Sequence, residues 1–332
     1  MPEPSVEPVT APGSDAPVAV GLEAPVAAGT QTLVLETEPT AKPAVEKSAT
    51  KKLGIVGWGA IAWLVTIVGL ALLAPWLPIA PPDQKFLNDV GAGPSINHIM
   101  GTDGIGQDMF SRVIWGARAS LLVATASVLF GLIFGGILGL IAGYYRGRLD
   151  GVLSYIFNCF LAIPQLVLAL AIIAVFASDP AVTVGKREFW LVISIGLVSI
   201  PVIGRITRAS TLTWSQREFV LASRSIGARN KRVILREVTP NVLPAMFSIA
   251  LLGIAVVIVL EGGLSILGVG IPPSTPSWGN LIATGRNELT KVVGANPQII
   301  FAPAIAIFLT VLSLNYLGDV VRARFDVRES AI

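Results

Sequence analysis

An all-α membrane protein with six transmembrane helices is the fold class this sequence predicts. Mean hydropathy is +0.73. Only 14% of the 332 residues are charged, where soluble domains carry about a quarter. Apolar runs long enough to cross a bilayer core of about 30 Å recur along the chain. Each run is expected to be a helix, because lipid offers backbone polar groups no partner.

Residues 1–50 come first and differ from the rest. They hold eight prolines, seven acids and two lysines, with no long apolar run. Such a stretch cannot bury enough surface to fold, so a disordered tail is expected. It also lacks the basic start and short apolar core of a cleaved signal peptide. The tail carries a net charge of −5 and the remaining chain +8. Six spans follow, over 53–79, 116–143, 152–177, 188–212, 245–270 and 297–320. Pro164 lies in the third and Pro201 in the fourth, so kinks are expected at both.

The basic residues orient the spans. With the N-terminus in the cytoplasm, the inner segments hold 16 Lys and Arg and the outer segments 7. The positive-inside rule therefore places both termini in the cytoplasm. Cys159, the single cysteine, falls in the third span and is expected to be a small buried apolar group. His98, the single histidine, reads as an ordinary loop residue ahead of the second span. Asp150 and Asp319, at span ends, read as interfacial acids. Catalytic signatures are missing: there is no HExxH, no GxSxG and no GxxxxGK[ST]. The Gly-rich GTDGIGQD at 101–108 lacks both a preceding strand and a closing Glu, so it is neither a phosphate cradle nor a calcium loop. Transport or membrane anchoring is the leading class.

The segment 216–244 stands between two apolar runs. Phe219, Ala222 and Ile226 are spaced by three and four, so a short helix would show them on one face. Gly227 would let the chain turn at the helix end. Pro240 and Pro244 are expected to break the helix before span five. Two readings remain open from this pattern alone: a helix lying on the anionic inner leaflet, or one docked into a partner protein.

ASRSIGARNKRVILREVTPNVLP at 222–244 resembles the EAA loop of permease subunits of ATP-binding-cassette importers. Leu221 holds the Glu position of that motif, Ala222 and Ser223 the two alanines, Gly227 the glycine, and Thr239 and Pro240 the Leu-Pro. Leu221, Ser223 and Thr239 depart from the pattern. Further stretches resemble the C-type permeases of dipeptide, oligopeptide and nickel importers. These are GTDGIGQDMFSRVIWGARASL at 101–121, with Gln107 where many members carry Arg, REFVLASRSIGA at 217–228, LEGGLSILGVGIPPSTPSWGNLI at 260–282 and LNYLGDVVRARFDVR at 314–328. The resemblance spans residues 53 to 328.

It implies a type I ABC importer permease fold in the bacterial cytoplasmic (inner) membrane. The chain then divides into a tail at 1–50, a first span with its outer loop at 51–100, and a core at 101–328 with the EAA loop at 216–244. The implied partners are a homologous B-type permease, two cytoplasmic ATPase subunits, an extracytoplasmic substrate-binding protein and membrane lipid. No nucleic acid is expected. No cofactor is expected in this chain, which is not itself an enzyme, with ATP and Mg bound by the ATPases. Glu218, Leu221, Ala222, Ser223, Gly227 and Pro240 would form the ATPase-coupling segment, and dipeptides or oligopeptides would be the cargo.

Glu261 lies deep in span five, about 24 Å along at 1.5 Å per residue. An acid there is costly and faces protein or water. It is read either as a gate residue or as a structural acid paired with Arg112, Arg118 or backbone amides. The resembled segment also carries Glu here, which favours the structural role. Other readings of the chain are a nickel or haem importer of the same family and an ion-coupled secondary transporter. The latter would call for paired intramembrane acids or matching broken helices.

Overall fold

The computed structural model describes residues 54–177, 182–286 and 296–329, with side chains as far as residue 324. The expected tail over 1–50 lies outside the described residues. Apart from two isolated bridges, the regular structure among the described residues is helical.

The first span is α1, Ile55–Leu73, extended by a 3₁₀ turn at Ala74–Trp76. The second, α2, runs over Met109–Tyr145 and starts seven residues before its expected boundary. Asp108 is the reason: its side chain caps the helix by accepting the Ser111 N–H at 2.8 Å. The third expected span is two helices, α3 at Gly147–Ala162 and α4 at Gln165–Phe176, which meet at 86°. Pro164 imposes this, because the residue before proline is driven from helical to extended backbone. Ile163 accordingly has φ −88° and ψ 128°.

The other expected kink did not break its helix. Helix α5, Val184–Trp214, runs through Pro201 as one element. It packs along α2 on a stripe of glycines at positions 131, 135, 139 and 143. A Cβ at Gly131 would stand 2.7 Å from the Ser199 Cβ, at Gly135 2.5 Å from the Ile200 carbonyl, at Gly139 2.7 Å from the Thr207 Cβ, and at Gly143 2.6 Å from the Thr211 Cβ. Four small residues at four-residue spacing let two backbones touch, the usual way membrane helices gain packing without a hydrophobic driving force. Across the same region, Arg208 of α5 holds Asp150 of α3 through two hydrogen bonds, one at 2.7 Å. Asp150 is therefore an interhelical partner rather than a simple interfacial acid.

After α5 come α6 at Glu218–Ser225, α7 at Asn230–Val233 and a π-helical turn at Ile234–Val238. Helix α8, Thr239–Ile266, continues directly from that turn. The expected break at Pro240 and Pro244 is thus corrected: Asn230–Ile266 is one helical run of 37 residues. The Thr239 N–H reaches back five residues to the Ile234 carbonyl. This widened turn stands just ahead of Pro240, which has no N–H to give and sits in the first turn of α8, where none is needed. Two helices close the chain, α9 at Trp278–Gly285 and the sixth span, α10, at Gln298–Glu329. Among the described residues, five helices are long and apolar enough to be membrane spans, or six when the bent α3–α4 pair is one.

Cys159 is exposed on this chain, not buried. His98 is buried, at 5% exposure, not an ordinary loop residue. Its Nδ1 is 2.9 Å from Asp108, its Nε2 is 3.5 Å from Asp89, and its ring meets Phe86 edge-on. It knits the segment between α1 and α2 onto the start of α2.

Candidate functional site

Two sites stand at opposite ends of α8. The first is α6. One side of this helix is fastened to the bundle. Val220 is fully buried with Tyr144, Trp214, Val233, Val238, Val242 and Met246. The Arg224 guanidinium lies 4.6 Å from the Tyr144 ring centre and Arg217 5.4 Å from that of Trp214, both cation–π contacts. Tyr144 donates its hydroxyl proton to Asn230 at 3.0 Å, tying α2 to α7.

The other side is bare. Phe219, Leu221, Ala222 and Ile226 are exposed, Ile226 at 87%. Glu218 and Gly227 are exposed as well, and Ser223 is half-buried. The spacing of Phe219, Ala222 and Ile226 does make a single apolar face, and among the described residues that face is left exposed apart from the contact of the Phe219 ring with that of Trp214. Gly227 ends the helix with φ +86°, the left-handed region, and no atom lies within 4 Å of where its Cβ would stand. Its N–H bonds to the Arg224 carbonyl at 2.9 Å and that of Ala228 to Ser223 at 3.1 Å, a glycine-closed helix end. Pro240 belongs to another element, in the first turn of α8.

The second site is Glu261, which is only 1% exposed near the far end of α8. Neither expected arginine meets it. Arg112 pairs with Asp103, and Arg118 lies 5.7 Å over the Trp115 ring. Its partners are three serines: Ser265 at 2.9 Å, Ser277 at 2.9 Å and Ser120 at 3.3 Å. The direction of two of these bonds follows from the neighbours. The Ser120 oxygen accepts the Trp278 N–H at 3.1 Å, and the Ser277 oxygen accepts the Asn280 N–H at 3.1 Å. Each hydroxyl proton is thereby left to point at Glu261. The carboxylate joins α2, α8 and the cap of α9. Around it, Trp278 is buried and donates its ring N–H to the Val113 carbonyl at 3.0 Å. A Cβ at Gly279 would stand 2.7 Å from the Gly262 Cα, so α9 and α8 touch backbone to backbone.

Removal of this carboxylate has a calculable effect. Glu261→Ala would strand buried hydroxyl donors, each worth about 1–3 kcal/mol when unpaired. A loss of about 3 kcal/mol or more is expected in detergent, read as a lowered unfolding temperature. Glu261→Gln, which keeps one acceptor oxygen, is expected to lose less. Equal stability in wild type and Glu261→Ala would show that the serines find other partners.

Among the described residues, no group of three or more His, Cys, Asp or Glu side chains is arranged to hold a metal ion. The sequence reading found α6 and Glu261 but missed the serine partners and the glycine stripe. The stripe was readable, as glycine at every fourth position from 131 to 143. Ser265 was readable too, at four residues from Glu261, but Ser120 was not, at a separation of 141 residues.

The fold is that of a polytopic helical membrane protein with a short helix presented beyond its spans. Residues 135–330 match the family of binding-protein-dependent transport system inner membrane components. The chain belongs to that family, and is thus a multi-pass component of the bacterial inner membrane, a permease rather than a catalytic enzyme. It is 33% identical to the dipeptide transport system permease protein of Alkalihalophilus pseudofirmus, over 86% of this chain and 89% of that one. It is 34% identical to the di/tripeptide transport system permease protein of Pseudomonas aeruginosa, over 81% and 86%. It is 32% identical to the glutathione transport system permease protein of Pectobacterium atrosepticum, over 80% and 84%. A solved structure of the MetNI methionine ABC transporter in inward-facing conformations shares the fold, with a TM-score of 0.51 and 20% identity, covering 65% of this chain and 97% of that one.

Proposed function

We propose that this chain is one of two permease subunits of an ATP-driven importer of short peptides. The cargo reading rests on the relatives named for dipeptides, di/tripeptides and glutathione, itself a tripeptide. The division of labour rests on α6. An exposed apolar helix, pinned on one side to the bundle and bare on the other, is costly in water and calls for a partner. The partner is a cytoplasmic ATPase subunit that seats the face of Phe219, Ala222 and Ile226. Glu218, Leu221 and Ser223 border that contact, Gly227 closes the helix, and Pro240 lies where the α6–α7 segment enters α8. A homologous permease completes the pathway, and an extracytoplasmic binding protein delivers the peptide. ATP and magnesium are held by the ATPases. The N-terminus, α6 and the C-terminus share the cytoplasmic side, and Glu261 lies toward the outer side as a structural acid.

The test is reconstitution of the four-component complex in proteoliposomes. ATP-dependent uptake of labelled di- and tripeptides is expected, and this chain purified alone is expected to hydrolyse no ATP. ATP turnover by the single chain above a contaminant control would overturn the division of labour. Peptide uptake driven by an ion gradient without ATPases would favour a secondary transporter.

A further inference from the structure

Between α2, α4, α5 and α8 lies a groove of about 220 Å³. Val128, Ser199, Val202, Leu252 and Val256 line it, together with Gln165, the first residue of α4. Val128, Ser199 and Leu252 stand near the middle of their helices, so the groove lies at mid-depth in the membrane. Its walls are aliphatic apart from two polar groups. Ser199 spends its proton on the Ile195 carbonyl at 2.9 Å. The Gln165 carboxamide makes no hydrogen bond among the described residues. It is the one lining side chain with free donors as well as a free acceptor.

Two physical constraints say what faces this groove. A polar side chain at mid-depth is costly against lipid and faces protein or water. Non-helical backbone at that depth is tolerated only in protein or beside a wet cavity. The Ile163–Pro164 break, where the chain turns through 86°, directly precedes Gln165. Both features therefore argue against a lipid-facing cleft and leave the groove to protein or water. A primary carboxamide offers one N–H side and one C=O side. A trans peptide bond points its N–H and its C=O to opposite sides, so the carboxamide meets one of them at a time, and its oxygen can accept the peptide N–H. The aliphatic walls suit uncharged peptide side chains and carry no charge to select among them.

Building on the peptide-importer reading, we infer that this groove is the chain's own share of the peptide path and that Gln165 pairs with the backbone amide of the passing peptide. Gln165 is a binding residue for cargo in transit, not a part of the ATPase coupling.

The test uses the reconstituted complex with its binding protein saturated by Ala-Ala or by its analogue methylated on the peptide nitrogen. In wild type, Ala-Ala is expected to be taken up about tenfold faster than the methylated analogue, the scale of one net hydrogen bond. In Gln165→Leu, which fits a membrane helix, Ala-Ala uptake is expected to fall about tenfold. The two substrates then move at one rate, with complex assembly and basal ATPase activity unchanged. Unchanged Ala-Ala uptake, or preserved discrimination in Gln165→Leu, overturns the inference. A photo-crosslinking residue at Val202 gives an independent reading. Crosslinks to labelled peptide support the path, and crosslinks only to the partner permease or to lipid overturn it. Absence of any ATP-driven peptide uptake in wild type would instead sink the importer reading on which this inference rests.

Discussion

Gly139→Leu is expected to prevent this chain from folding, although the new residue is an ideal membrane-helix former. Position 139 is where α2 meets α5 backbone to backbone, and a Cβ there would run into the Gly204 carbonyl oxygen and stand 2.7 Å from the Thr207 Cβ. Leucine brings three more carbons into that space. Neither neighbour can yield, since one is a helix backbone and the other a β-branched side chain held in its own helix. Overpacking of this kind costs about 1–3 kcal/mol at sites that relax, and more where they do not. The measurement is detergent extraction followed by size-exclusion chromatography and thermal unfolding. Gly151→Leu is the control, because nothing lies within 4 Å of a Cβ at that position. A monodisperse Gly139→Leu chain that unfolds at the wild-type temperature would mean that α2 and α5 separate more readily than this packing implies.

Ala222→Trp is expected to do the opposite: leave the chain intact and abolish transport. Ala222 is exposed on the bare face of α6, so an indole there extends toward solvent rather than into the core of the described residues. In a close-packed protein cleft the same indole has no room. On a lipid surface it would strengthen binding, because aromatic bulk favours the interface. The two environments thus predict opposite signs for one substitution. Wild-type thermal stability, lost retention of the ATPases in pull-down, and no peptide uptake are expected together. Wild-type uptake with normal ATPase retention would place α6 on the membrane surface. Gly227→Val tests the adjoining turn. With φ at +86° the cost is backbone strain, about 1–2 kcal/mol, and it falls on the geometry of α6 rather than on contacts.

Hydropathy made the spans legible, because lipid leaves the backbone no alternative to the helix. It could not distinguish two prolines. Pro164 breaks a span and Pro201 does not, although both interrupt similar apolar runs. The difference is tertiary. Pro201 is buried in a helix that lies along the glycine stripe of α2. At Pro164 the chain turns through 86°, and α3 and α4 pack on α5 separately, one through Asp150 and Arg208, the other through Phe176 and Trp190. The bare face of α6 was legible because three residues at helical spacing fix one side of a short helix. Glu261 was legible as an oddity but not in most of its company: Ser265 is four residues on along α8, whereas Ser120 and Ser277 come from segments that only folding brings near. His98 was misread for the same reason: its partners at positions 89 and 108 carry no local pattern that marks a cluster.

The unbroken run from Asn230 to Ile266 has a thermodynamic consequence. At 1.5 Å per residue it is a rod about 55 Å long, with α6 beside one end and the Glu261 cluster near the other. To the extent that its π-helical turn and prolines hold straight, a tilt of about 10° about its centre displaces each end by about 5 Å in opposite senses. Events at the two faces of the membrane then share a single free-energy term. Whatever factor an ATPase seated on α6 applies to affinity at the far face, docking at the far face must apply to the ATPase in return. Titrating the binding protein against the reconstituted complex should therefore change ATPase affinity for α6 by the same factor that ATPase binding changes the affinity for the binding protein.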